Sequence, residues 1–74
     1  MYKFELGQTV YSVDLTGYYF YVKSGKVKSY SIYRDKTLYN VEGNHLYGEY
    51  NERELLTEEE VSKKLNKWLG LKGD

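Results

Sequence analysis

Residues 18–33, YYFYVKSGKVKSYSIY, are dominated by Tyr, Phe, Val and Ile, the side chains that fit a pleated, half-buried strand surface. One turn signal, Ser24-Gly25, interrupts them. The pattern predicts a β-hairpin in which Lys23 and Lys26 flank a two-residue loop, Gly25 supplies the positive φ such a loop needs, and Val22 faces Val27. With a period of two, Tyr18, Phe20, Val22 and Val27 fall on one face, the expected core face. Tyr19, Tyr21, Lys23, Lys26 and Lys28 fall on the other. Beyond Lys28, strict alternation would turn Tyr30 and Ile32 outward and bring Ser29 and Ser31 in. A β-bulge near Ser29 is therefore expected, returning both apolar residues to the core and adding twist.

The rest of the chain supplies shorter elements. Phe4 and Leu6 lie on one side of a loose N-terminal alternation that ends at Gly7-Gln8. TVYSVDL at 9–15 reads as a strand with Tyr11, Val13 and Leu15 on one face, and Thr16-Gly17 leads into the hairpin. After a turn at 34–36, residues 37–41 form another strand, with Leu38, Tyr39 and Val41 available to the core. Residues 45–50 form the last. The period then changes. Thr57 and Glu60 have the spacing of a capping box, three Glu open the segment, and Lys63, Lys64 and Lys67 follow, both favourable to a helix dipole. Val61, Leu65, Trp68 and Leu69 make one apolar stripe, Trp68 being expected to pack on the sheet. Gly70 is placed as a left-handed C-terminal cap. The helix is thus expected over 57–69 in a single domain covering 1–70, with a frayed tail at 71–74. Five short strands and one closing helix predict a mostly β fold, a small five-stranded SH3-like barrel with the helix over one open end. An OB-like barrel is disfavoured because its helix usually lies between strands.

Composition narrows the chemistry. The 74 residues include ten Tyr and no Cys, so stability must come from packing aromatic area without disulfides or thiolate-bound metal. Net charge is zero, which argues against a whole-molecule field for nucleic acid. The charge is nevertheless uneven: Lys23, Lys26, Lys28, Arg34 and Lys36 cluster in the first half, and Glu42, Glu49, Glu52, Glu54, Glu58, Glu59 and Glu60 in the second. The ordinary reading of such runs is solvated surface; the sharper one makes one of them a docking face. No run is long and apolar enough to span a bilayer, and residues 1–15 lack the apolar stretch of a signal peptide, so a cytoplasmic protein is expected. His45 is the single His. No spacing joins it to a nucleophile, and Glu42, His45 and Glu49 do not converge as metal ligands by spacing alone. Neither catalysis nor a cofactor is expected.

Phe4 with Gly7-Gln8-Thr9-Val10-Tyr11, Gly25-Lys26-Val27 followed by Tyr30 and Ile32, Tyr39-Asn40-Val41, and Glu54-Leu55-Leu56-Thr57-Glu58-Glu59-Glu60 together resemble a group of small uncharacterised SH3-like barrel proteins of Gram-positive phages and mobile elements. The likeness covers about residues 4–65. The Tyr-rich run 18–21 departs from it. The resemblance implies a barrel fold and a protein that binds, or inhibits, a host protein such as a defence nuclease. Exposed Tyr gives large contact area at low entropy cost, so Tyr19, Tyr21, Lys23, Lys26 and Lys28 are the candidate partner-binding residues of a non-catalytic module, monomeric or weakly dimeric. The alternative is single-stranded nucleic acid, with Tyr19 and Tyr21 stacking bases and the cations tracking phosphates. Self-association and an acidic mimic of nucleic acid are lesser readings.

Overall fold

The computed structural model describes residues 2–16 and 18–72, the backbone only at 71 and 72. Four strands, β1 (Thr9–Leu15), β2 (Phe20–Tyr33), β3 (Lys36–Glu42) and β4 (Gly48–Asn51), form one antiparallel sheet in the order of the chain. A 3-10 turn over Glu52–Glu54 follows, and then helix α1 (Glu58–Lys72). The fold is thus mostly β with one C-terminal helix. Among the described residues the sheet has four strands and is open, not the expected closed five-stranded barrel; Tyr11 of β1 also forms an isolated antiparallel bridge with Leu56.

The expected hairpin is replaced by one 14-residue strand. Ser24 and Gly25 are not a turn; they pair with Tyr11 and Val10 of β1. Gly25 is buried, and a Cβ there would stand 2.6 Å from Val41 Cγ1 and 2.7 Å from the Leu46 carbonyl oxygen. It is glycine because another part of the chain passes too close for a side chain, the second common reason for glycine inside a strand. The reversal lies earlier. Thr16 N–H donates to the Tyr19 carbonyl at 3.0 Å, and Thr16 Oγ1 accepts from the N–H groups of Tyr18 (3.1 Å) and Tyr19 (2.8 Å). Gly17 lies outside the described residues.

That shift reorders the faces. Tyr18, expected in the core, is 85 % exposed in the loop, and Val22 is also exposed. Val27 is buried as expected, and Phe20 is half-buried. The bulge is where the alternation required it: the register with β3 slips between Val27 and Ser29. It brings Tyr30 against the core, whereas Ile32, two residues on, remains 69 % exposed because the core has ended there.

Phe4, Val10, Val27, Tyr39, Val41, Leu46 and Leu55 form the core. Its N-terminal end is an aromatic chain: Tyr2 stacks on Tyr30 at 3.9 Å, Tyr30 meets Tyr39 edge-on, and Tyr39 meets Phe4 edge-on. The hydroxyls of Tyr30 and Tyr39 are satisfied by the arm itself, which offsets the cost of burying them. Tyr30 O–H donates to the Phe4 carbonyl at 2.7 Å, and Lys3 N–H donates to Tyr39 Oη at 3.0 Å. Desolvation, with Tyr39, Tyr2 and Glu5 nearby, pushes the Tyr30 hydroxyl pKa up. Leu6, grouped with Phe4 in the alternation, is exposed, and Leu38 is half-buried where Tyr39 and Val41 are fully buried.

The helix start follows its capping box. Glu60 N–H donates to Thr57 Oγ1 (3.2 Å), and Thr57 N–H donates to Glu60 Oε1 (3.0 Å). That backbone N–H, joined by Lys3, holds the Glu60 carboxyl below its usual range against the opposing effect of burial. Lys3 Nζ lies 3.3 Å from Glu60, tying the N-terminal arm to the helix. Trp68 packs on the sheet through Phe20, with ring centroids 5.7 Å apart. Gly70 does not end the helix. It has no positive φ, and α1 continues through Leu71 to Lys72, so the tail expected to fray is helical up to that point. Gly73 and Asp74 lie outside the described residues. The last strand begins at Gly48 instead of His45, because bends at 43–45 come first.

Candidate interaction surface

β2 has two different neighbours. It pairs with β1 from Phe20 to Lys26 and with β3 from Lys26 to Tyr33. Its first half, with β1, is therefore a two-stranded ribbon leading away from the core, in a molecule whose longest dimension is 45 Å. Residues that alternate onto the same face have different surroundings along the strand. Tyr21 and Lys23 share the face of Gly25 and Val27, yet Val27 is buried while Tyr21 is half exposed, because β3 and β4 do not extend beneath the ribbon.

The five predicted residues separate into groups. Tyr19 is 68 % exposed in the loop, and Tyr21 follows on the ribbon; with Asp14, Thr16, Tyr18 and Phe20 they line one shallow groove at the ribbon tip. Lys23 is half-buried and bound to Asp14 at 3.1 Å, diagonally across the β1–β2 pair. Lys26 lies on the opposite strand face and lines a different groove with Glu42, Gly43, Asn44 and His45. Lys28 is the extra residue of the bulge, beside Asn40, Tyr47 and Glu49. The tyrosines are thus brought together, and the cations are not. Tyr18 and Val22, assigned inward by the sequence pattern, join Leu15 in the exposed apolar tip. The signal for them was Thr16-Gly17, an equally good turn dipeptide eight residues before Ser24-Gly25.

Across the outer face of β2 and β3, Asn40 Nδ2 donates to Ser29 Oγ (2.8 Å) and Ser31 Oγ (3.0 Å), a polar ladder suited to water. His45 is exposed. Among the described residues no three His, Asp or Glu side chains gather as a metal site, and no helix is long and apolar enough to cross a membrane. Comparison with protein-family models, curated proteins and solved structures finds no match to this chain.

Proposed function

We propose that this chain is a non-catalytic binding module that engages a protein through the tip of the β1–β2 ribbon, with Tyr19 and Tyr21 as its anchors. The observation that carries this is the gathering of exposed Leu15, Tyr18, Tyr19, Tyr21 and Val22 on one protruding element. Rigid aromatics on a scaffolded tip offer large contact area at small entropic cost. A host protein, such as a defence nuclease, is the partner class suggested by the resemblance to phage and mobile-element proteins, and the cytoplasm is the compartment that goes with it. The fold in this reading is an SH3-like barrel opened at one seam, the Tyr11–Leu56 bridge marking the place of its fifth strand.

The separation of tyrosines from cations favours protein over single-stranded nucleic acid. A strand tracked by Lys23, Lys26 and Lys28 would meet one lysine held by Asp14 and two in different grooves, whereas nucleic-acid binding needs a continuous basic path beside its stacking rings. The test uses immobilised protein and a lysate of the natural host. A specific polypeptide retained by wild type and by Lys64→Ala, and lost with Tyr19→Ala or Tyr21→Ala, is the expected result. Capture of nothing, or capture indifferent to both tyrosines, refutes the assignment. Oligonucleotide binding that falls steeply with salt and disappears in a Lys26→Ala/Lys28→Ala double variant would establish the nucleic-acid reading instead.

A further inference from the structure

Ser29, Asn40 and Glu49 stand side by side across β2, β3 and β4. Tyr39 and Val41 belong to the core, so alternation puts Asn40 and Glu42 on the outer face of the sheet. On that face Lys28, Asn40, Glu42, Tyr47 and Glu49 line a shallow groove of about 380 Å³, and its parts are held in place. Asn40 spends both Nδ2 hydrogens on Ser29 Oγ and Ser31 Oγ, which fixes the amide plane and leaves Oδ1 as an open acceptor. Lys28 is the extra residue of the bulge, the device by which a strand re-aims one side chain. Tyr50 O–H donates to the Tyr47 carbonyl at 3.0 Å. Gly48, with φ of 121°, then turns the chain into β4 through a conformation that a residue with a side chain rarely adopts. The Tyr47 ring between these anchors is 75 % exposed. Among the described residues the charged ends of Lys28, Glu42 and Glu49 enter no ion pair.

We propose that this groove binds a neutral oligosaccharide, with one sugar ring resting on Tyr47. The mixture of groups selects that ligand. Two carboxylates, Glu42 and Glu49, repel a phosphate or sulfate, and Lys28 repels a guanidinium or ammonium group. A neutral sugar suits all of them. Its hydroxyls donate to the carboxylates and to Asn40 Oδ1 and accept from the Lys28 ammonium, while its C–H face lies against the electron-rich face of the Tyr47 ring. The fixed amide and the pinned Tyr47 backbone lower the ordering cost that a shallow site would otherwise meet. The groove is open and its charged groups are hydrated when empty, so binding is weak, with a dissociation constant on the order of 0.1–10 mM.

The test is an NMR titration of the isotope-labelled chain with four neutral tetrasaccharides, those of β-1,4-glucose, α-1,4-glucose, β-1,4-mannose and β-1,4-N-acetylglucosamine, each to about 20 mM. At least one should move the amide signals of Asn40, Gly48 and Glu49 along a saturable curve, while glycerol at matched concentration leaves them in place. Tyr47→Ala removes an exposed ring and should weaken that binding about ten-fold or more, whereas Tyr47→Phe should retain it. Glu49→Ala, also at an exposed position, should weaken it several-fold and serves if Tyr47→Ala fails to fold. Tyr19→Ala should bind the sugar like wild type, which keeps this result separate from the protein partner proposed above. No saturable shift with any of the four sugars overturns the proposal, as does folded Tyr47→Ala or Glu49→Ala binding like wild type. Tighter, salt-sensitive binding of a sulfated heparin tetrasaccharide at the same residues overturns it too.

Discussion

Gly25→Ala distinguishes a glycine required by a turn from one required by packing. In the turn role its freedom is conformational, and Asn would serve nearly as well. In its observed place the added methyl stands 2.6 Å from Val41 Cγ1, 2.7 Å from the Leu46 carbonyl oxygen and 3.2 Å from that of Glu42. The valine methyl can move by a rotamer change, but the two carbonyls belong to backbone and the 43–46 segment must shift as a unit. Overpacking of this kind costs about 1–3 kcal/mol, and the reduced freedom of the unfolded chain returns about 0.4–1 kcal/mol. A net loss of about 1–2 kcal/mol is expected, which for a domain of this size lowers Tm by roughly 5–15 °C. Urea unfolding should show a reduced midpoint with an unchanged slope. Gly70→Ala is the internal control: it lies within α1 with no atom inside 4 Å of the new methyl, so the same chemical change should stabilise by up to about 1 kcal/mol. Gly25→Ala matching or exceeding wild-type stability, or Gly25→Asn proving the milder change, would refute the packing argument.

Glu60 gives a pH signature. Its folded pKa is depressed by the Thr57 N–H first and by Lys3 after it, so its stabilising effect is complete above the unfolded value and is lost as pH falls below about 4.5 through the folded value. Urea midpoints of wild type and Glu60→Gln should therefore draw together as pH falls from about 4.5, and curves that stay parallel down to the acid unfolding limit would contradict the capping geometry. Arg34 opens the two-residue turn between β2 and β3 with φ of 57°, a conformation that costs a side-chain-bearing residue about 1–2 kcal/mol. Arg34→Gly should raise the thermal midpoint by a few degrees, and a fall would indicate that the Arg34 contact with the Tyr33 ring outweighs the strain.

The elements read correctly from sequence are those specified by neighbours within a few positions. Thr57 and Glu60 cap each other at three residues' separation, and the need to keep Tyr30 inward locates the bulge without reference to β3. Ser24-Gly25 misleads because its local signature matches that of Thr16-Gly17. What decides between them is Val41 and Leu46 closing over Gly25, a contact between segments far apart in sequence. The interaction surface divides the same way. Tyr19 and Tyr21 are polar-edged aromatics that either register leaves exposed. The lysines look contiguous along the sequence, but a continuous strand, a bulge and the Asp14 ion pair place them in separate surroundings.

Because the strands lie side by side in the order in which they occur, each finds its partner across a short loop, and the sheet assembles without waiting for a distant segment. Such local pairing favours rapid folding for a β protein. The long-range closures come from the two flanks: Lys3 and Phe4 reach Tyr39 and Glu60, and Leu56 reaches Tyr11. These contacts need a preformed sheet to dock on, so they form last and release first. A nick or truncation before Gly7 should therefore uncover the aromatic chain of the core while leaving the meander paired, making the arm the point from which this molecule comes apart.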